Sequence, residues 1–234
     1  MITIIGTGHI FNIVEPVTFI IKHSWPNAVL VELDESRFRA MTDPDAKTAE
    51  APKAYRKAAE YQKKMAEENN TTTGSELIAA ATVGRAMGAE VFMIDINAAE
   101  ALERMHREMP FRERMRFRFS GIKDSLFSRK ETVEQTLEDF AKDEERHING
   151  LRERFPTLVR IIFDERNEHM AGEINKAVGK FDNIIVVVGD GHVEAISKMI
   201  NAEGVKKIRL RELMNRERMD AIRSELWTHS EEKQ

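Results

Sequence analysis

Two Gly-x-Gly-His segments, one near each end of the chain, combine residue types that can do chemistry. One runs from Gly6 to His9 after the apolar run Ile2 to Ile5, and the other runs from Gly189 to His192 after Ile184 to Val188. With 12 glycines and 7 histidines in 234 residues, composition predicts about 0.02 such segments, so chance does not explain the repeat. Glycine permits a close backbone approach, and imidazole is a metal ligand or general base near neutral pH. The pair predicts a shared metal or general-base site, although a single histidine of this kind more often caps a helix or packs in the core.

A carboxylate within an apolar run is the second candidate. Glu32 lies in the run Ala28 to Leu33, and alternation along a strand would send Glu32 and Asp34 to the same side. Arg37 follows about one helical turn later, where its guanidinium could pair with either carboxylate or bind an anionic substrate. Because an unpaired buried carboxylate is costly, Glu32 requires a partner. The structural alternative is that Asp34 caps a helix while Glu32 pairs with Arg37.

Two further acids follow the same pattern. Asp95 ends the apolar run Val91 to Ile94, and Glu76 opens a helical pattern after Gly74, where the positive end of a helix favours a carboxylate. Helix capping alone would explain either residue. Both are nevertheless placed where the ends of strands predict a site.

These residues require elements that bring them to one place. Short runs rich in β-branched residues predict strands of a parallel sheet, buried on both faces: Ile2 to Ile5, Ala28 to Leu33, Val91 to Ile94, Ile184 to Val188 and Val205 to Leu210. Helical patterns separate them: Glu15 to Trp25, Ser75 to Met87, Ala98 to Met109 and His192 to Asn201. The alternation predicts an α/β fold with a mostly parallel central sheet flanked by helices. In such sheets, ligands bind beyond the carboxyl ends of the strands.

We interpret residues 1–234 as a single α/β domain with two helical insertions, at about 42–73 and 110–180. Within the second insertion, Glu131 to Arg154 has opposite charges at helical offsets and few apolar residues, which indicates a surface layer or a homodimer contact. The chain after Leu210 predicts an amphipathic helix with four residues near one face: Leu213, Met219, Ile222 and Leu226.

Composition excludes several classes of protein. Hydrophobic residues make up 41% of the chain and charged residues 32%, a balance that favours a folded core. Because the chain has no cysteine, any metal must be bound by His, Asp or Glu. No run approaches the length of a membrane helix and the start does not resemble a leader, so we expect a cytoplasmic protein that makes no membrane contact. The net charge of -4 argues against nucleic acid, and we interpret the arginines within Phe111 to Phe119 as part of a solvated helix.

Further motifs occur in a definite order along the chain: Ile5 to His9, Val31 to Asp34 with Arg37, Gly74 to Glu76, Gly88-Ala89 with Ile94-Asp95, Glu165-Arg166 with Met170-Ala171, and Val188 to His192. With these motifs the chain resembles the TraB/PrgY pheromone-shutdown family and, more distantly, the Tiki proteins and the erythromycin-esterase-like group. The resemblance implies an α/β catalytic domain related to metal-dependent peptidases or to hydrolases that use His and Glu. Many relatives also carry carboxyl-terminal membrane helices, and because this chain shows no such run, we expect it to be the soluble module alone.

The chain departs from this family pattern at four positions. Asn97 and Asn167 stand where the family has acids, Ile96 stands in place of Arg, and His169 stands in place of Tyr. Chemistry that depends on those two acids is therefore open to question in this chain.

The leading hypothesis is a TraB/PrgY-like metal-dependent hydrolase, with peptidase activity as one option. His9, Glu32 and His192 would bind a divalent metal (Zn, Mn or Co) or position water. Arg37 and Arg166 would bind the charge of a peptide or small-molecule substrate, or of a developing oxyanion. Three acids complete the predicted catalytic set: Glu76, Asp95 and Glu165.

Two alternatives belong to other functional classes. One is a non-catalytic protein that binds and sequesters a peptide or another partner. The other is a nucleotide-binding module, in which Gly6 and Gly8 with an acid about 25 residues further on imitate the dinucleotide motif. Phe11 argues against it, because the third glycine position must be small for the helix to pack on the strand.

Overall fold

Five parallel strands form the central sheet. They are β1 (Ile2–Thr7), β2 (Ala28–Val31), β3 (Glu90–Met93), β4 (Ile184–Gly189) and β5 (Val205–Ile208), in the spatial order β3-β2-β4-β1-β5. The structure, a computed structural model, describes residues 1–8, 10–43, 60, 63–64, 66–119 and 144–231. Every strand pair is parallel. The α/β fold predicted from the sequence is confirmed.

Helices surround this sheet on both sides. Their bounds are α1 Val14–Ser24, α2 Glu35–Thr42, α3 Ser75–Ala86, α4 Ala98–Glu108, α5 Phe111–Phe119, α6 Glu144–Arg154, α7 Pro156–Val159, α8 Glu165–Ala177, α9 Val193–Met199, α10 Leu210–Met214 and α11 Arg216–Glu231. A π-helical turn, Arg160–Asp164, leads directly into α8, and a 3₁₀ turn, Asp190–His192, joins β4 to α9.

Strand residues alternate between two hydrophobic cores. Val29 and Val31 pack with α1, α3 and α11, whereas Ala28 and Leu30 pack with α8 and α9. This follows from the two-residue period of a strand, which sends successive side chains to opposite faces. Helices cover both faces, and each face is therefore apolar.

The strand order places a topological switch point between β1 and β4. The helix that follows β1 packs on one face of the sheet, and the helix that follows β4 packs on the other, although the two strands are neighbours. Ligands of open parallel sheets bind at such switch points.

A third core lies where α4 meets helices of the second insertion, namely α5, α7 and the π-helical turn. Side chains of α5 cap the neighbouring helices. Glu113 accepts hydrogen bonds from the backbone N (3.0 Å) and Oγ1 (2.8 Å) of Thr157 at the start of α7. Arg114 donates to the carbonyl of Met109 (3.0 Å) after α4, and Arg116 donates to the carbonyl of Arg154 (3.0 Å) at the end of α6. Two of the arginines in this basic segment are thus held by helix ends.

The remaining element predictions are confirmed with changed boundaries. β2 ends at Val31 because Leu33 N turns back to Val31 O (2.7 Å) and Asp34 begins the next helix. The predicted helix after Leu210 corresponds to α10 and α11. The described parts of both insertions are helical, while 44–59, 61–62, 65 and 120–143, including most of the predicted contact surface Glu131 to Arg154, lie outside the described residues. No helix in the described ranges is both long enough and apolar enough to cross a membrane.

Candidate functional site

The two Gly-x-Gly-His segments follow neighbouring strands. β1 and β4 run in parallel register, with Thr7 opposite Gly189, so both segments leave the sheet at the same edge. The second segment continues as a 3₁₀ turn that ends at His192. His9 lies outside the described residues, so of the two predicted histidines only His192 has a described position.

Close packing explains the glycines of these segments. A Cβ atom on Gly6 would overlap the carboxylate of Asp190 from the second segment, and one on Gly189 would lie 3.2 Å from Glu32 Oε2. A Cβ atom on Gly8 would lie 2.8 Å from both Leu210 Cδ2 and a ring carbon of Phe11. At these three positions the absence of a side chain therefore leaves room for side chains of neighbouring residues. These surroundings give the nucleotide alternative no support.

The guanidinium of Arg166 is the centre of the site. Its Nε donates to Asp95 Oδ1 (2.9 Å), and its Nη2 donates to Asp95 Oδ2 (2.8 Å) and Glu32 Oε1 (2.5 Å). Its Nη1 points at the carbonyl of Ile162 and at His192 Nε2, each 3.4 Å away. The side chains of Glu32 and Asp95 are 4% and 0% exposed, so Arg166 supplies the countercharge that these carboxylates need.

The electrostatic environment fixes the charge of Arg166. Burial lowers the pKa of its guanidinium, but the charges of Glu32 and Asp95 and their hydrogen bonds more than offset this, and the pKa lies above its ordinary value. Arg166 is therefore a permanent cation at any physiological pH.

Glu32 links this cation to the second Gly-x-Gly-His segment. Its Oε1 accepts from Arg166, and its Oε2 accepts from the backbone N of Gly189 at 2.5 Å. The prediction that Glu32 needs a partner is confirmed. That partner comes from α8, 134 residues along the chain.

The imidazole of His192 is held in one orientation. Its Nδ1 lies 2.6 Å from Asn167 Oδ1, and because an amide oxygen only accepts, Nδ1 carries the proton. Nε2 then presents its lone pair toward Arg166 and lies 3.7 Å from Glu32 Oε1. The ring of Phe163 packs against the imidazole, with 5.7 Å between ring centroids. His192 is 6% exposed, and the nitrogen that carries no proton, Nε2, is the one that lies near the carboxylate of Glu32.

Arg37 and Asp34 form the margin of the site, beside Asp95. Arg37 Nη1 lies 3.6 Å from Asp95 Oδ2, and the Arg37 side chain is 32% exposed. Asp34 caps α2, since its Oδ1 accepts from the backbone N of Ser36 and of Arg37, each at 3.0 Å. Burial raises the pKa of Asp34, but hydrogen bonds from the Ser36 side chain and from the backbone N of Arg37 and Ala98, together with the charge of Arg37, outweigh it and hold the pKa below its ordinary value. The capping role considered for Asp34 is thus observed.

The two remaining predicted acids lie in different places. Glu76 is fully buried beside the end of β1, where Thr7 Oγ1 donates to its Oε1 at 3.4 Å. Glu165 is on the surface and accepts from Arg104 (2.8 Å) and Arg160 (2.5 Å). The structure therefore brings four predicted residues into one cluster, with Arg37 at its margin, and leaves Glu165 outside. The four are Glu32, Asp95, Arg166 and His192.

The predicted metal ligands can be compared with this arrangement. Glu32 and His192 do approach each other, but both contact the guanidinium of Arg166. A divalent ion bound by both Glu32 and His192 would lie beside the permanent positive charge of Arg166, which would repel it. Within the described ranges, no group of three or more acidic or histidine side chains could hold a metal. The described residues therefore fit Arg166 as their cation and do not fit an additional ion in this conformation. Metal binding that involves His9 stays a prediction.

Sequence reasoning missed two side chains that complete the site. In the sequence, Asn167 stands out only as a replacement for an acid, yet its side chain orients His192. Phe163 gave no signal at all, because an apolar residue in a helical pattern resembles core. Both residues, like Arg166, belong to the π-helical turn and the first turn of α8. Such π-helical turns are frequent at functional sites, but their hydrogen bonding cannot be recognised in the sequence.

Comparison with known proteins adds a family. Residues 1–209 match the model of the TraB/PrgY/gumN family. The uncharacterized protein MJ1365 of Methanocaldococcus jannaschii is 29% identical over 211 residues, which cover 85% of this chain and 53% of the relative. The chain thus spans about half the length of that relative. No solved structure gives a significant match.

Proposed function

This chain belongs to the TraB/PrgY/gumN family, and from its cluster of charged side chains we propose that it is a hydrolase in which His192 is the general base. The observation that carries the proposal is a buried imidazole with one nitrogen anchored by Asn167 and the other facing Glu32. The cluster lies at the switch point of the sheet, where ligands of this fold class bind. Peptides are the substrate class that the family resemblance suggests.

Each group has a role that its contacts support. Asn167 keeps the proton on Nδ1, so Nε2 carries the lone pair that would take a proton from water when substrate is bound. The imidazolium that forms is stabilised by Glu32 Oε1, 3.7 Å away. Arg166 keeps Glu32 ionised and in place, because its charge compensates for the burial of that carboxylate. The deprotonated water attacks the scissile carbonyl, and the imidazolium gives its proton to the leaving group as the scissile bond breaks, so His192 returns to its neutral form.

The test is turnover on a library of peptides and esters, followed by mass spectrometry, with protein purified without an affinity tag. Replacing His192 by Ala should lower kcat/KM at least about 100-fold, the usual contribution of a general base. His106→Ala is the matched control, since His106 is an exposed residue of α4 away from the cluster. Equal activity of the His192→Ala variant and the native protein would refute the proposal.

Metal dependence is tested in the same samples. Bound Zn, Mn and Co are quantified before and after chelation, and activity is measured in both states. Activity that survives chelation supports the roles given to Arg166 and His192 alone. Activity that disappears and returns with one of these ions instead supports the metal-dependent form of the hypothesis, in which His9 contributes.

Binding without turnover is the second candidate function. It is favoured by Asn167, whose neutral amide gives the imidazolium less stabilisation than the acid that the family pattern has at this position. In that case a peptide binds saturably and no product forms. The His192→Ala variant then loses affinity and the control keeps it.

A further inference from the structure

We propose that Arg37 forms a carboxylate-binding subsite at the margin of the cluster, so that the preferred ligand is a peptide with a free carboxylate. The term substrate for this ligand rests on the proposed hydrolase function, whereas the subsite itself is a binding property. The two can therefore be tested separately.

Arg166 cannot be the residue that binds the anionic group. A guanidinium has five N–H donors. Arg166 directs them at five acceptors: both oxygens of Asp95, Glu32 Oε1, the carbonyl of Ile162 and His192 Nε2. A substrate anion could bind only by displacing one of these buried partners, which would leave a polar group unsatisfied.

Unlike Arg166, Arg37 does not direct its N–H donors at a full set of buried acceptors. Its one ion pair within the described ranges is with Asp95 Oδ2, at 3.6 Å, a distance too long for a hydrogen bond. Asp95 is already satisfied, because Oδ2 accepts from Arg166 at 2.8 Å and Oδ1 accepts from Arg166 and from the backbone N of Ile96, each at 2.9 Å. The nearby carboxylate of Asp34 is committed to the N-terminus of α2. With a third of its side chain exposed, Arg37 therefore presents its planar donors to solvent beside the cluster.

The charges of the cluster limit the ligand to one negative charge. Arg166 and Arg37 together balance the two negative charges of Glu32 and Asp95, so the site has no surplus positive charge, and Arg37 is the more loosely held of the two cations. A carboxylate matches its fork in shape and in charge. A phosphate dianion would also meet repulsion from the carboxylates behind Arg37.

The experiment measures equilibrium binding of two probes by calorimetry, independently of turnover. The probes are an N-acetylated alanine tripeptide with a free carboxylate and the same tripeptide as the carboxamide. The native protein should bind the carboxylate about 10- to 100-fold more tightly, the usual contribution of a hydrogen-bonded charge. Arg37→Gln should remove this preference without changing affinity for the carboxamide, and Arg37→Lys should retain part of it. Arg39→Gln removes the same charge from an exposed position of the same helix and should leave the preference intact.

The outcomes separate the subsite from the hydrolase. Equal affinity for both probes, no saturable binding of the carboxylate at millimolar concentration, or a preference that survives in Arg37→Gln overturns the subsite. Stronger competition by inorganic phosphate than by acetate also overturns it, because the site then selects the higher charge. Loss of the carboxylate preference in Arg37→Gln, in a protein that cleaves no peptide, supports the subsite and rejects the hydrolase.

Discussion

Replacing Arg166 by Met tests whether a single cation holds the cluster together. Methionine keeps most of the length of the side chain but removes the charge and all five donors. Two carboxylates with exposures of 4% and 0% would then be buried without their nearest countercharge. Breaking a buried ion pair in this way costs about 3–5 kcal/mol of the free energy of unfolding. For a chain of this size the loss corresponds to a fall in Tm of about 6–20 °C.

The same reasoning predicts the direction in which the stability of the variant changes with pH. Without Arg166, burial in the folded variant penalises the charged form of the two carboxylates, a penalty that is absent in the unfolded chain. Groups of that kind destabilise the folded state as pH rises, so the variant should regain stability as pH falls from 7 toward about 5. The native protein, with its carboxylates paired, should gain nothing over the same interval. Urea unfolding followed by circular dichroism at several pH values measures both curves.

Arg104→Met is the matched control for this experiment. Arg104 also pairs with two carboxylates, Glu108 and Glu165, but its side chain is 39% exposed and water already screens the pairs. Its removal should change Tm little at any pH. If Arg166→Met is no less stable at pH 7 than Arg104→Met, or if the gap to the native protein widens as pH falls, the buried-cation reasoning is wrong.

Three further predictions concern the elements around the cluster. Glu113→Ala should lower the free energy of unfolding by about 1–3 kcal/mol in urea titrations, because it leaves the buried donors of Thr157 unsatisfied, and an unchanged midpoint would contradict the capping role. Asp34→Ala should cost about 0.5–2 kcal/mol at pH 7. Because the folded pKa of Asp34 is lowered, that difference should shrink as pH falls below about 4, and a constant difference would count against the cap. Gly6→Ala should be destabilising by about 1–3 kcal/mol because its Cβ overlaps the Asp190 carboxylate, whereas Gly172→Ala, with open space at Cβ, should not.

The local elements, and the edge of the sheet where the site lies, can be predicted from the amino-acid sequence. Apolar runs such as Ile184 to Val188 predict buried strands because each residue must suit one of two apolar faces. Parallel strands end at a common edge, so the acids and the histidine that follow β2, β3 and β4 could be assigned to one site before any coordinates were known. The neighbouring positions of β1 and β4 agree with the repeat of the Gly-x-Gly-His motif.

Which side chains meet depends on how the helices pack on the sheet. Glu165 and Arg166 are consecutive, but a helix turns about 100° per residue, so one joins a surface ion network and the other enters the buried cluster. Asn167 reaches His192 because α8 begins after a π-helical turn and lies against the start of α9. Such pairings join segments far apart in the chain, and they depend on the angle and depth at which a helix packs on the sheet. Hydrophobic periodicity specifies the buried face of a helix, but not its rotation to the accuracy of a hydrogen bond.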